Sequence, residues 1–148
     1  MFGFAQNYDD TKVALDQEKM IFLDNFKEKV QLKKDSRNLV FINQQGRRNL
    51  SSIRIKAQRS NILVNQKGDD NKVRLNIYAK EVNEVITQIG SGNLFKDYNR
   101  SNRNSHNVNV YQQGDKQKIY MYGSNSISKE LKIIQKGDYK TIFINNFQ

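Results

Sequence analysis

The sequence predicts an all-β fold: a parallel β-solenoid of five strand–turn–strand rungs, 22–24 residues each, spanning residues 38–148. Three observations predict it. First, a Gln-x-Gly core recurs at Gln44-Gln45-Gly46, Gln66-Lys67-Gly68, Gln88-Ile89-Gly90, Gln112-Gln113-Gly114 and Gln135-Lys136-Gly137, in steps of 22, 22, 24 and 23 residues. Second, five of the eight glycines share that one repeat position, where the chain must turn and a residue tolerant of positive φ is needed. Third, apolar and polar residues alternate with period two on both sides of each core, the pattern of half-buried strands. A fixed period in the low twenties marks a solenoid, in which each unit contacts only its neighbours.

Residues 1–37 fall outside the repeat. Met1 to Gln6 reads equally as the tail of a secretory signal peptide cleaved after Ala5 or as an ordinary chain start. In residues 7–37, Leu15, Phe22, Leu23, Phe26 and Val30 recur at three- and four-residue spacing among charged residues. That spacing predicts an amphipathic helix over Asp10 to Leu32 that caps the solenoid, with disorder as the alternative.

Rung one, Asn38 to Gln58, points Val40, Ile42 and Gln44 inward on its first arm, and Asn49, Ser51, Ile53 and Ile55 inward on its second. Rung two places Ile62, Val64 and Gln66 on one face, then Asn71, Val73, Leu75 and Ile77. In rung three Val82, Ile86 and Gln88 hold the pattern, but Glu84 falls on the inward side. Phe95 holds its second arm, and Asp97 and Asn99 then break it. The polar stretch Lys96–Asn107 is expected to bulge from the stack as a loop. Rung four returns to form with Val108, Val110 and Gln112, then Gln117, Ile119 and Met121. Rung five supplies Leu131, Ile133 and Gln135, then Ile142 and Ile144.

Rungs one strand spacing apart, about 4.8 Å, align equivalent residues in columns. Gln44, Gln66, Gln88, Gln112 and Gln135 then form a buried polar column. A primary amide has a donor end and an acceptor end, so stacked amides bond along the column. Asn49, Asn71 and Asn93 are expected to form a second ladder that Gln117 and Lys140 interrupt. Phe41, Leu63, Tyr120, Tyr122 and Phe143 point outward, either to stack between rungs or to form a docking stripe.

The 25 Lys and Arg against 15 Asp and Glu leave a formal charge of +10, all of it in the repeats, because residues 1–37 carry seven of each sign. This basicity suits an anionic partner such as nucleic acid, polysaccharide or lipid headgroups. The more ordinary reading, and the one preferred, is that it keeps a sticky strand array soluble and delays its self-association. The chain has no cysteine, which excludes disulfides and thiolate metal sites. Its single histidine, His106, lies in an Asn/Ser/Arg run that suggests no metal or catalytic role. No apolar run is long enough to span a membrane.

The repeat resembles the curlin repeat of bacterial curli fibres, whose unit reads Ser-x5-Gln-x-Gly-x2-Asn-x-Ala-x3-Gln. The Gln-x-Gly core matches in all five units and the Asn in three, while the leading Ser appears only as Ser60 and the closing Gln is absent. The resemblance covers residues 38–148. It implies a secreted functional amyloid of a biofilm matrix, exported through a dedicated channel, with a curlin-type major subunit as partner. High charge and degenerate rungs are more like the minor, nucleating subunit. No catalytic constellation and no cofactor motif emerges, so the expectation is a structural protein rather than an enzyme. The rival reading is a monomeric basic module that grips nucleic acid or polysaccharide with Arg47, Arg48, Arg54, Lys56 and Arg59.

Overall fold

A computed structural model describes residues 39–100, 106–123 and 129–146. The chain divides between Asp35 and Ser36, and the described residues all belong to the second unit. The expected helix over Asp10 to Leu32 and the expected signal remnant lie outside them. Among the described residues there is no α-helix. The strands are β1 (Leu39–Gln45), β2 (Asn61–Lys67), β3 (Val82–Ile89), β4 (Leu94–Lys96), β5 (His106–Gln113), β6 (Lys118–Tyr122), β7 (Leu131–Lys136) and β8 (Thr141–Asn145).

They form a five-stranded sheet, β1-β2-β3-β5-β7, and a three-stranded sheet, β4-β6-β8. Every pairing is parallel and advances one repeat, so Gln44, Gln66, Gln88, Gln112 and Gln135 stand in register. The fold is a parallel β-solenoid. Its register is set by the alternating pattern, because a slip of one residue would turn each apolar face outward. Ile62, Val64, Ile86, Val108, Val110 and Ile133 from the first sheet join Val73, Leu75, Phe95, Ile119 and Met121 from the second arms in one apolar cluster.

Four features differ from the sequence-based expectation. The second arms of rungs one and two are not strands: only the isolated bridges Leu50↔Lys72 and Lys72↔Leu94 link them. Val73, Leu75, Ile77 and Ala79 are still buried in alternation. Yet Ala57, Arg59, Leu75, Ala79 and Glu81 have φ between 56° and 64°, left-handed values that a continuous ladder does not accommodate. Period two reports side-chain direction, and here it does so without the extended backbone that usually accompanies it.

The core also thins at the ends. Val40 and Ile42, expected inside, are 38% and 44% exposed, and Ile53, Leu131, Ile142 and Ile144 are only partly buried. An inner rung is covered on both sides and a terminal rung on one. Gln44 is exposed for the same reason.

The expected loop over Lys96–Asn107 is shorter than anticipated. Lys96 ends β4, and His106 and Asn107 begin β5. Asp97 and Asn99 do not break the inward alternation: both are fully buried.

On the outside, Tyr120 stacks on Phe143 at 4.8 Å and Tyr98 on Tyr122 at 5.2 Å. The Lys96 ammonium caps the Tyr120 ring at 4.8 Å. Leu63, expected to point outward, is buried.

Candidate functional site

The glutamine column is a continuous, directional chain. Gln44 Nε2 donates to Gln66 Oε1 at 2.7 Å, Gln66 to Gln88 at 2.8 Å, Gln88 to Gln112 at 2.8 Å and Gln112 to Gln135 at 2.9 Å. The first four amides also turn a donor toward the opposite arm: Gln88 Nε2 reaches the Lys72 carbonyl at 3.2 Å. Gln66, Gln88 and Gln112 are fully buried, where a hydrogen bond is strong and a missing partner expensive. At the far end Gln135 is buried too, and its Nε2 has no partner.

The asparagine column works differently from the expected amide ladder. Asn49, Asn71 and Asn93 each donate Nδ2 to the glycine carbonyl of the next rung, Gly68, Gly90 and Gly114, at 2.7 Å. Their Oδ1 atoms accept from the next rung's backbone N–H, at Asn71, Asn93 and Gln117, at 3.0 Å. Gln117 continues the column instead of interrupting it, because its Nε2 reaches the Gly137 carbonyl. Lys140 ends it, its Nζ turned to Lys136 O in its own rung.

The turn glycines close the arrangement. At Gly46, Gly68, Gly90 and Gly114 (φ 110° to 130°) an added Cβ would lie 2.2–2.3 Å from the carbonyl oxygen of the next rung's glycine. Side chains are excluded there by the stacking itself, more strictly than by φ. At Gly137 the nearest atoms are the Lys140 side chain at 3.6 and 3.8 Å. Beside the turns, Arg47 pairs with Asp69 at 2.9 Å and Arg48 with Asp70 at 2.7 Å, each across one rung. The Arg47 backbone N–H and guanidinium hold the Asp69 carboxyl below its usual range, and Arg48 does so for Asp70.

A second constellation lies in rungs three and four. Glu84 and Asp97 are fully buried and His106 is 1% exposed. His106 Nε2 lies 3.2 Å from Glu84 Oε1 and 3.3 Å from Asp97 Oδ2. These are ion-pair distances, but neither contact is aligned as a hydrogen bond: Glu84 Oε1 and Oε2, Asp97 Oδ2 and both His106 ring nitrogens have no such partner. Burial, reinforced by the Asp97 charge, pushes the Glu84 carboxyl up to about 7. Burial opposes protonation of His106, but Asp97 and Glu84 outweigh it and raise the imidazole to about 9. In the sequence Glu84 and Asp97 are departures from the apolar pattern of rung three, and His106 lies in a polar run. The signal that unites them is phase, since each falls on an inward column otherwise occupied by Ile62 and Val108, by Leu75 and Met121, or by Val82.

Among the described residues no helix is long and apolar enough to cross a membrane. Comparison with known proteins finds no matching family model, no matching curated protein and no matching solved structure.

Proposed function

We propose that this chain is a self-assembling fibre subunit that stacks head to tail, in the manner of the curli amyloids its repeat resembles. The observation that carries the reading is the unpartnered, buried Nε2 of Gln135 at the end of a ladder whose every other step is a donor meeting the next rung's acceptor. Gln44, at the opposite end, is exposed. Its Oε1 is the atom that inner rungs present to the rung before them. A second copy placed about 4.8 Å beyond β7 would bring Gln44 Oε1 to Gln135 Nε2 and extend the five-stranded sheet through its β1.

Three further features support it. The Gly137 turn is open where the other four are covered. Among the described residues β1 and β7 are the edge strands of the larger sheet, and an edge strand offers backbone groups to a further strand. Apolar side chains are exposed on both terminal rungs, Val40 and Ile42 on the first and Ile134, Tyr139 and Phe143 on the last. On this reading the protein is non-catalytic, needs no cofactor, and nucleates growth of a curlin-type major subunit at the cell surface after secretion. The rival basic-module reading is weakened because Arg47 and Arg48 are already committed to Asp69 and Asp70.

The test is seeding, followed by thioflavin fluorescence. Substoichiometric full-length chain should shorten the lag of a curlin-type major subunit, and removal of residues 128–148 should abolish the effect. Removal of residues 7–37 should preserve or increase it. The sharper variant is Gly137→Asn, because asparagine tolerates positive φ and meets little within its own chain. It should leave the monomer folded and block stacking. Undiminished seeding by Gly137→Asn and by the C-terminal deletion would refute the edge mechanism.

A further inference from the structure

The repeat accounts for the buried Gln and Asn columns but not for Glu84, Asp97 and His106, which stand at inward positions that neighbouring rungs fill with apolar residues. Glu84 interrupts the column Ile62, Glu84, Val108, and His106 follows Val82. Three ionisable groups on separate segments thus converge in a dry core. Even with the imidazole protonated, two carboxylates leave one negative charge buried, which proteins tolerate only with a further proton or a cation. We infer that Glu84, Asp97 and His106 form a binding site for one divalent first-row transition cation of the Zn2+ type inside the solenoid. The inference does not depend on the fibre reading.

The geometry fits. One ligand atom from each residue can be chosen so that all three lie within 4.8 Å of one another. Ligands held tetrahedrally at about 2.0–2.1 Å from an ion stand about 3.3–3.4 Å apart. The separations Nε2–Oε1 of 3.2 Å and Nε2–Oδ2 of 3.3 Å match that edge. The converging atoms are unused: Glu84 Oε1, Asp97 Oδ2 and His106 Nε2 are all buried and without hydrogen bonds. Asp97 is oriented from behind, because the Asn99 backbone N–H donates to its other oxygen, Oδ1, at 2.5 Å. Such fixing of a carboxylate is what supporting contacts do for metal ligands. The Asn99 amide is also fully buried and unpartnered, two residues along the same face.

The donor set selects the ion class. One imidazole nitrogen and two carboxylate oxygens suit Zn2+, Co2+, Fe2+ or Mn2+, whereas Ca2+ and Mg2+ favour all-oxygen shells and copper(I) favours sulfur. A surface cleft adjoins the buried cluster. A cleft of about 270 Å³ lined by Arg59, Asn61, Glu81, Asn83, Asn107 and Lys129 also has His106 in its wall. A divalent ion would neutralise both carboxylates and tie rung three to rung four where the apolar columns are broken.

His106 is the chain's single histidine and there is no cysteine, so binding can be read at one ring. Titration of the full chain with Co2+ should saturate at one equivalent. It should shift and broaden the His106 imidazole proton resonances, and Zn2+ should displace it. Glu84→Gln and His106→Gln should each weaken Co2+ binding by at least about 10–100-fold. Asp69→Asn, at a half-buried turn carboxylate paired with Arg47, should not. A triple variant, Glu84→Val with Asp97→Leu and His106→Val, restores the apolar columns. It should fold and show no gain in melting temperature with Zn2+, while the parent chain gains. Absence of saturable Co2+ binding, an unperturbed His106 ring at saturation, or retained binding in the triple variant would each overturn the site. Should a variant fail to fold, the His106 resonances of the parent chain decide alone.

Discussion

Replacing Gln112 tests whether the amide ladder carries the stack. Its Nε2 donates to Gln135 at 2.9 Å, its Oε1 accepts from Gln88 at 2.8 Å, and the residue is fully buried. Gln112→Leu removes both bonds. Gln88 Nε2 keeps the Lys72 carbonyl at 3.2 Å, so the main loss is at Gln135 Oε1. One buried acceptor left unpaired costs about 1–3 kcal/mol, partly offset by the added apolar contact. Gln112→Glu keeps the bond from Gln88 but sets carboxylate oxygen against Gln135 Oε1 and buries a charge without a cation, a loss of about 3–5 kcal/mol at neutral pH. That penalty should depend on pH. Burial raises the folded-state pKa of the new carboxyl above its unfolded value of about 4.3. Below that value the group is protonated in both states, its O–H can donate to Gln135, and the penalty is relieved. As pH rises toward the folded pKa the penalty returns. Urea unfolding followed by circular dichroism, at pH 4 and pH 7.5 and referenced to the parent chain at each pH, measures both effects. Equal losses for Leu and Glu at neutral pH, or no relief of the Glu variant in acid, would refute a buried ladder.

Two other substitutions probe the packing around it. Gly90→Ala should destabilise by about 3 kcal/mol or more, because its Cβ would lie 2.2 Å from the Gly114 carbonyl oxygen; the same unfolding assay should show a far smaller effect for Gly137→Asn. Phe95→Ala should cost about 3–5 kcal/mol, since Phe95 is fully buried in the shortest strand; a loss below about 1 kcal/mol would mean that rung three is not packed as a core rung. The seeding and metal titrations set out above complete the set.

Much of this architecture is carried by local pattern. The Gln-x-Gly period determines the parallel, one-repeat register, because only that alignment places like residues over like. It also determines that Gln66, Gln88 and Gln112 are inside, since they share phase with Ile62, Val64, Ile86, Val108 and Val110. The pattern was silent on backbone conformation. Val73, Leu75 and Ile77 alternate as strand residues do, yet they lie on an arm that makes only isolated bridges. The asparagine column shows the same limit. Residue type foretold a column of amides, while the position just after the glycine turn directs Asn49, Asn71 and Asn93, and Gln117 with them, to the next rung's backbone instead.

What the sequence by itself determined is therefore the repeat, the direction in which most side chains point and the identity of the glutamine column, all properties with a period. What only the tertiary structure decided is aperiodic. Glu84, Asp97 and His106 are separated by 13 and 9 residues along the chain and look like three unrelated departures from the rule. They meet because winding converts inward phase in successive arms into proximity, and because a core closed on both sides leaves their charges nowhere else to go. The open donor at Gln135 is likewise invisible in the repeat, where all five glutamines are equivalent. Its distinction arises because, among the described residues, no rung lies beyond it.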